Sequence, residues 1–160
     1  ELYGVDVAAD YGSAEFPHSH FKIADLAIEP IPYEDNFFDF VSAHDFIEHI
    51  PRILYIPHRR NCFVELMNEI YRILKVGGLF LSATPAYPHK EAFQDPTHVN
   101  IITEHTFYCY FDDTRRWATP YGFHGAFRFI EQYWNGPHLI TLLEKVEVSV
   151  QNNDPDTTAN

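Results

Sequence analysis

Three residues that can bind a metal ion or move a proton follow a short apolar segment of the chain. The segment 38–44 has the composition of a buried strand, and Asp45, Glu48 and His49 come directly after it. If a helix begins there, spacings of three and four residues place these side chains on one helical face. Open α/β sheets bind their ligands at the carboxyl ends of the strands. The sequence therefore predicts a ligand site with two carboxylates and an imidazole at this edge.

The elements that would position this site are strands and an amphipathic helix. Four strands are expected, at residues 2–7, 21–24, 38–43 and 79–83. Between the last two, apolar residues recur at helical spacing from Phe63 to Leu74, and Gly77 and Gly78 follow as residues that stop a helix. The order strand, helix, strand predicts a parallel βαβ unit with a right-handed connection.

The C-terminal third of the chain predicts a different arrangement. A short helix is expected over 103–111, where the side chain of Thr103 can cap the first turn. Two strands, over 126–133 and 139–150, flank the turn sequence Asn135-Gly136-Pro137. This pattern predicts an antiparallel hairpin after the parallel unit.

The composition indicates one domain that acts on a small molecule. The chain has 160 residues, of which 46% are hydrophobic, and this is enough for a sizeable core. We expect a domain over residues 1–150 and a polar tail over residues 151–160. The formal charge of −12, from 23 acidic and 11 basic residues, repels nucleic acids and anionic membranes. A small-molecule partner is therefore expected.

The cysteines and the hydropathy favour a cytoplasmic protein. Cys62 and Cys109 form no CxxC motif, so we expect reduced thiols in the core and no disulfide. No apolar run approaches the ~18 residues of a membrane span. No stretch has the basic-then-apolar pattern of a signal peptide.

An ordered set of motifs gives the chain a resemblance to a known family. The motifs are Tyr3-Gly4-Val5-Asp6, Ala24-Asp25, the run 32–41, Phe46-Ile47-Glu48-His49-Ile50 and the run 70–79. In this order and spacing they resemble class I S-adenosylmethionine-dependent methyltransferases of the type 11 group. The resemblance covers roughly residues 1–111. It implies methyl transfer from S-adenosylmethionine to an oxygen or nitrogen of a small molecule.

The same resemblance implies an α/β fold and a set of cofactor-binding residues. The fold would be a Rossmann-like sheet of seven strands, mostly parallel, with the C-terminal hairpin at its antiparallel edge. Asp6 would bind the ribose hydroxyls of the cofactor, Asp25 would lie by the adenine amino group, and the backbone of His44 would face the cofactor. A carboxylate can accept two hydroxyl hydrogen bonds, and such charge-assisted bonds are strong. The alternative for Asp6 and Asp25 is a structural role in a turn or cap.

One part of the family pattern has no counterpart here. The first strand of the family and its glycine-rich loop are absent, since the chain holds 7 glycines and no GxGxG motif. The first residue is Glu1 and not Met, so we expect an N-terminally truncated methyltransferase domain. Such a fragment would lack a central strand, and its backbone groups there would be unpaired. We expect the fragment alone to be poorly stable or inactive.

The opening cluster matches a metal-binding pattern within the class. Ubiquinone-pathway O-methyltransferases and small-RNA 2′-O-methyltransferases carry an acidic-x-x-Glu-His motif that ligates a divalent metal. Asp45, Glu48 and His49 match this motif, with aspartate in place of glutamate at its first position, and His98 is the candidate fourth ligand. Carboxylate and imidazole ligands suit Mn²⁺, Fe²⁺ or Zn²⁺, and Mg²⁺ less well. Without a metal, His49 or His98 is the expected general base.

Two other function classes stay open at this stage. An acidic residue after the second strand also binds the ribose of nicotinamide cofactors, which would indicate an oxidoreductase. The segment Leu74-Lys75-Val76-Gly77-Gly78 favours a methyltransferase over an oxidoreductase. The second class is a noncatalytic scaffold or interaction domain that retains the fold.

Overall fold

The computed structural model describes residues 1–8 and 20–148 of the chain. Its strands are β1 (Gly4–Asp6), β2 (Phe21–Ile23), β3 (Phe38–His44), β4 (Leu54–Tyr55), β5 (Arg59–Arg60), β6 (Leu74–Pro85), β7 (Phe127–Asn135) and β8 (His138–Lys145). Its helices are α1 (Cys62–Ile73), α2 (Glu91–Gln94) and α3 (Glu104–Tyr110), with 3₁₀ turns at Ile47–His49 and Thr119–Tyr121. The expected polar tail over residues 151–160 lies outside the described residues.

A mixed four-stranded sheet forms the centre of the fold, in the order β3-β6-β8-β7. β3 and β6 run parallel and are connected through α1, so the predicted βαβ unit is confirmed. β8 runs antiparallel to both of its neighbours. The predicted hairpin of β7 and β8 is also confirmed, and Gly136 in its turn has a φ of +59°. The fold is therefore the expected α/β arrangement with an antiparallel C-terminal hairpin.

A second, two-stranded sheet contains β1 and β2, which run parallel. Within the described residues, β1 pairs only with β2, and β3 pairs only with β6. The backbone groups along the other edge of β3 therefore have no partner in a described strand. The family resemblance implies that the first strand of the family lies in this interval between β1 and β3.

Aromatic side chains connect the two sheets near the start of β3. The rings of Tyr3 and Phe38 make an edge contact with centroids 5.4 Å apart. The hydroxyl of Tyr33 lies 2.9 Å from the carbonyl oxygen of Gly4 and 2.8 Å from that of His20. Burial raises the pKa of Tyr33 above its ordinary value, so the phenol stays protonated and can donate to these carbonyls.

The core lies on one face of the central sheet, where α1 packs. The buried side chains of α1 include Leu66, Met67 and Ile70, and Phe80 and Phe127 meet them from the sheet. On the opposite face of β3, Phe40, Ser42 and His44 are exposed. The alternation of buried and exposed positions follows from the two-residue period of a strand.

The boundary between α1 and β6 differs from the sequence prediction. The helix ends at Ile73, and Leu74 already has the extended backbone that begins β6. Phe38 pairs with Leu74 but Phe40 pairs with Leu79, so the four residues 75–78 stand opposite the single residue Asp39 and the ladder holds three extra residues there. The glycines expected to stop the helix therefore lie in an irregularity of the strand. Gly77 has a φ of +80° there, a backbone conformation that favours glycine.

Both cysteines are buried free thiols, as the sequence predicts. Burial raises the pKa of the Cys62 thiol above its ordinary value, which keeps it protonated and unreactive at neutral pH. Among the described residues, no helix has both the length and the apolar character needed to cross a membrane.

Candidate functional site

The segment after β3 is a tight turn, so the prediction that a helix begins at Asp45 is wrong. A single 3₁₀ turn spans Ile47–His49, and Asp45 lies before it with a φ of +45°. The Asp45 amide donates to the carbonyl of Ala83 at 3.0 Å, which continues the contacts of β3 with β6 one residue beyond His44. Aspartate tolerates the left-handed conformation better than most residues. Because Asp45 is outside the turn, it does not share a helical face with Glu48 and His49.

Glu48 is a buried carboxylate with one fixed and one free oxygen. Its side chain is 1% exposed, and the Thr84 hydroxyl donates to Oε2 at 2.7 Å. Oε1 is buried and has no hydrogen-bond partner among the described residues. Leaving a buried carboxylate oxygen unpaired is costly unless a ligand satisfies it.

Backbone contacts attach the loop that follows α2 to the 3₁₀ turn. The amides of Val99 and Asn100 both donate to the carbonyl of Glu48 at 2.9 Å. The buried side chain of Asn100 donates to the carbonyl of Ile47 at 3.2 Å and accepts from Nε of Arg52 at 2.7 Å. These bonds hold the residues next to His98 against the turn.

The imidazoles of His49 and His98 lie side by side as a result. Their ring centroids are 4.8 Å apart in an edge arrangement. Nδ1 of His49 lies 3.0 Å from the hydroxyl of Thr97, which donates its only proton to Asp95 at 2.6 Å. His49 must therefore donate from Nδ1, and the lone pair of its neutral imidazole is on Nε2. The bonds from Thr97 also hold the pKa of Asp95 below its ordinary value.

Glu48, His49 and His98 form a group that could hold a metal ion. Each offers one ligand atom, and these atoms lie within 4.8 Å of one another. Nδ1 of His98, like Oε1 of Glu48, is buried with no hydrogen-bond partner among the described residues. The two orphaned atoms and the mixed nitrogen and oxygen donors fit a divalent transition metal. The structure brings three of the four expected ligands together and leaves Asp45 out.

The carboxylate of Asp45 contacts a residue that the sequence analysis did not name. Nε2 of His138 lies 2.7 Å from Oδ1 of Asp45. Both residues line a cavity of about 340 Å³ beside the carboxyl end of β3, together with His44. No local motif marks His138, and only its place directly after the predicted hairpin turn could have indicated it.

The two carboxylates expected to bind the cofactor both lie at carboxyl ends of neighbouring parallel strands. Asp6 ends β1, and its Oδ1 accepts from the amide of Ala8 at 2.9 Å. Asp25 follows β2, and its Oδ1 accepts from the amide of Ala27 at 3.0 Å. Each carboxylate therefore supports a turn through one oxygen. Among the described residues the second oxygen of each has no hydrogen-bond partner, and a cofactor role for these two residues stays a prediction.

A family model described as a methyltransferase domain, type 11, matches residues 1–82, about half of the chain. The chain belongs to this methyltransferase family. Enzymes of the family use S-adenosylmethionine as the methyl donor, in agreement with the resemblance stated from the motifs. No curated protein matches the chain.

Solved structures share the methyltransferase fold at low sequence identity. The PH0226 protein from Pyrococcus horikoshii is 16% identical with a TM-score of 0.60, over 91% of this chain and 73% of that one. A chain from a complex with the Haloferax volcanii Trm112 methyltransferase activator is 14% identical with a TM-score of 0.60, over 91% and 72%. A SAM-dependent methyltransferase from Archaeoglobus fulgidus is 17% identical with a TM-score of 0.56, over 89% and 75%. At these identities the likeness shows the fold.

Proposed function

We propose that this methyltransferase-family protein transfers a methyl group from S-adenosylmethionine to an oxygen or nitrogen of a small molecule with the help of a divalent metal ion. The observation that carries the proposal is the compact group of Glu48, His49 and His98 in the turn and loop beyond the carboxyl end of β3. Ligands of open α/β sheets bind at this edge.

The cofactor would contact the carboxyl ends of β1, β2 and β3. When bound, S-adenosylmethionine supplies a methyl group on a positively charged sulfur. Asp6 and Asp25 each have one carboxylate oxygen without a hydrogen-bond partner among the described residues, and these oxygens would bind ribose hydroxyls or the adenine amino group. His44 is exposed at the end of β3, where its backbone would face the cofactor.

The metal ion would be held by three protein ligands, which leaves coordination positions for an acceptor. Mn²⁺, Fe²⁺ and Zn²⁺ accept mixed imidazole and carboxylate ligands, whereas Mg²⁺ prefers oxygen. A bound ion would orient acceptor oxygens and favour ionisation of an acceptor hydroxyl. Thr84 and Thr97 would fix the orientation of Glu48 and His49 in the manner typical of groups that support metal ligands.

The charge and the thiols support the choice of partner and compartment. A net charge of −12 disfavours a nucleic-acid acceptor, and so favours a small molecule. The buried free thiols Cys62 and Cys109 suit a reducing compartment such as the cytoplasm.

A second candidate is a noncatalytic domain that retains the fold. It is favoured by the edge of β3 that has no partner strand among the described residues. Calorimetric titration of the full-length protein with S-adenosylmethionine separates the two functions. Saturable binding that weakens in Asp6→Ala supports the enzyme, and no binding at millimolar cofactor overturns it in favour of the scaffold.

The metal is tested by a separate titration of the chelator-treated protein with Mn²⁺ and Zn²⁺. We expect one bound ion in the native protein and none in Glu48→Gln. Glu131→Gln is the matched control, because Glu131 is exposed on β7 and distant in sequence from the group. Equal binding by the two variants would reject this metal site.

A further inference from the structure

A carboxylate and an imidazole are paired across the central sheet at its carboxyl edge. Asp45 follows β3 and His138 begins β8, with the end of β6 between them. Nε2 of His138 and Oδ1 of Asp45 are 2.7 Å apart although 93 residues separate them in the chain. The side chains are partly accessible, at 65% for Asp45 and 33% for His138. The pair is thus fixed in geometry but open to a small molecule.

The pairing determines which nitrogen of His138 can accept a proton. An ionised carboxylate only accepts hydrogen bonds, so Nε2 of His138 carries the hydrogen that Asp45 binds. The lone pair of the neutral imidazole is then on Nδ1, for which no hydrogen-bond partner exists among the described residues. A carboxylate that orients an imidazole in this way also stabilises the imidazolium formed when Nδ1 takes a proton.

The pair lies on the opposite face of the sheet from the candidate metal ligands. In the ladder, His138 faces Pro85 and Leu139 faces Thr84, so the side chains of His138 and Thr84 point to opposite faces. Thr84 binds Glu48, whereas His138 binds Asp45. The two groups of titratable side chains are therefore distinct.

The pair lines a cavity of about 340 Å³ that has an apolar floor. Leu81, Ala83 and Ile140 supply the floor from β6 and β8. The titratable groups around the cavity are His44, Asp45, Tyr133 and His138. A cavity of this size accepts a small organic molecule, and a few polar groups over an apolar surface are typical of such sites.

We propose that Asp45 and His138 form the proton-accepting pair for methyl transfer to a hydroxyl group on a small apolar molecule bound in this cavity. The inference rests on methyl transfer from S-adenosylmethionine in the proposed function and adds to it the acceptor class and the base. Because the cavity and the candidate metal group lie on opposite faces of the sheet, His138 takes the place of the metal ion in activating the acceptor hydroxyl. His44 also lines the cavity, but no carboxylate among the described residues is hydrogen-bonded to its ring, and the lone pairs of His49 and His98 are the ones assigned to the metal.

The step is balanced without a further reactant. Nδ1 of His138 takes the hydroxyl proton of the acceptor while the acceptor oxygen forms a bond to the methyl carbon of S-adenosylmethionine. The electron pair of the broken carbon–sulfur bond stays on sulfur, which becomes a neutral thioether. Asp45 is a positioning residue in this step, because it holds the tautomer of His138 and pairs with its positive charge.

The tautomer gives a test that needs neither cofactor nor activity. Nitrogen-15 NMR of the imidazoles should show His138 protonated on Nε2 in the native protein. In Asp45→Asn, the new side-chain amide can donate to Nε2, so the proton should move to Nδ1. His58→Gln, which removes an exposed histidine in the β4–β5 connection, should leave the His138 signals unchanged. An unchanged tautomer in Asp45→Asn would overturn the role assigned to Asp45.

The acceptor site is tested with 4-nitrophenol, whose visible absorbance reports its ionised form. Below the pKa of the free phenol, binding to the native protein and to His58→Gln should increase the phenolate absorbance, and His138→Gln should abolish this increase. With S-adenosylmethionine present, His138→Gln should lower kcat for formation of 4-nitroanisole by about 100-fold or more with little change in KM. Equal phenolate formation in native protein and His138→Gln would overturn the proposal.

Cofactor binding and the role of His138 can be tested separately. If calorimetry shows no binding of S-adenosylmethionine but the phenolate signal depends on His138, the proposed enzyme function fails and the acceptor cavity stands. If the cofactor binds and the phenolate signal is independent of His138, the base assignment fails and the methyltransferase stands. Thermal unfolding of each variant is the control that separates a loss of phenolate absorbance or binding heat from a loss of the fold.

Discussion

The hydroxyl of Thr84, on the buried face of β6, donates a 2.7 Å hydrogen bond to Oε2 of Glu48. Thr84 is fully buried and Glu48 is 1% exposed, so water does not replace this bond. Oε1 of the same carboxylate has no hydrogen-bond partner in the part of the chain that the structure describes. The central sheet thereby orients the one acidic residue of the candidate metal group.

Replacing Thr84 by valine keeps the shape of the side chain and removes the donor. We expect Thr84→Val to weaken binding of Mn²⁺ or Zn²⁺ by about 10- to 100-fold, as is typical when a group that supports a metal ligand is lost. Calorimetric titration of the metal-free protein measures this change. Thr141→Val is the matched control, because Thr141 is equally buried on β8 but bonds to Gln132. Equal loss of metal affinity in both variants would show a general effect on packing.

Asn100 determines the position of the loop that carries His98. Its side chain is fully buried and bonds to Ile47 and Arg52. We expect Asn100→Ala to lower the free energy of unfolding by about 1–3 kcal/mol, because the Ile47 carbonyl keeps only the Ile50 amide as a donor and Nε of Arg52 loses its acceptor. Urea denaturation measures the loss.

The control for this loop is Asn61→Ala. Asn61 bonds to a backbone carbonyl at an exposed position, so its loss should cost less than about 0.5 kcal/mol. Asn100→Ala should also reduce metal affinity, whereas Asn61→Ala should not. Full metal affinity in a folded Asn100→Ala protein would contradict the role given to this loop.

Lys145 makes the free energy of unfolding depend on pH in the alkaline range. Its buried ammonium group donates to Asn36 at 2.8 Å and to the carbonyl of Leu74 at 2.7 Å. Burial holds the pKa of Lys145 below its ordinary value of 10.5. Between the lowered pKa and 10.5 the unfolded chain binds more protons, so the free energy of unfolding rises with pH in that window.

We therefore expect the native protein to gain stability relative to Lys145→Met as the pH rises towards 10.5. Chemical denaturation of both proteins over a series of alkaline pH values measures the difference. A difference that is independent of pH, or that falls as the pH rises, would contradict the lowered pKa of Lys145.

Gly125 is required because an aromatic ring occupies the space of a side chain. A Cβ atom at this position would lie 2.7 Å from Cγ of Tyr71 and 3.0 Å from Cζ of Phe123. We expect Gly125→Ala to destabilise the protein by about 1–3 kcal/mol through overpacking. In a Tyr71→Leu background the same substitution should cost clearly less. Strictly additive costs in thermal unfolding would exclude the contact with Tyr71 as the cause.

Elements with local signals were predictable from the sequence. The helix after Thr103 has its expected cap, and Thr103 and Thr106 form a reciprocal pair of bonds there. The turn containing Gly136 brings β7 and β8 together where the sequence places it. In both cases a few neighbouring residues determine the backbone conformation, so a short stretch of sequence is enough to predict the element.

The candidate site was only partly predictable, because long-range contacts decide it. Glu48, His49 and His98 come together as the family resemblance implies, although the bonds that join them pass through Asn100 and Thr97. The helix expected at Asp45 fails because the pairing of its amide with Ala83, 38 residues away, is not visible in local spacing.

The turn between β7 and β8 sets the face of the sheet on which His138 lies. Asn135 pairs with His138, so two residues, Gly136 and Pro137, separate the strands. Side chains alternate between faces along a strand, so a turn one residue longer or shorter that shifted the pairing of β8 by one position would exchange the faces of His138 and Leu139. The imidazole would then point into the core and a leucine would meet Asp45. The length of this turn, more than its composition, is therefore what evolution or protein engineering would have to preserve for the cavity to keep its histidine.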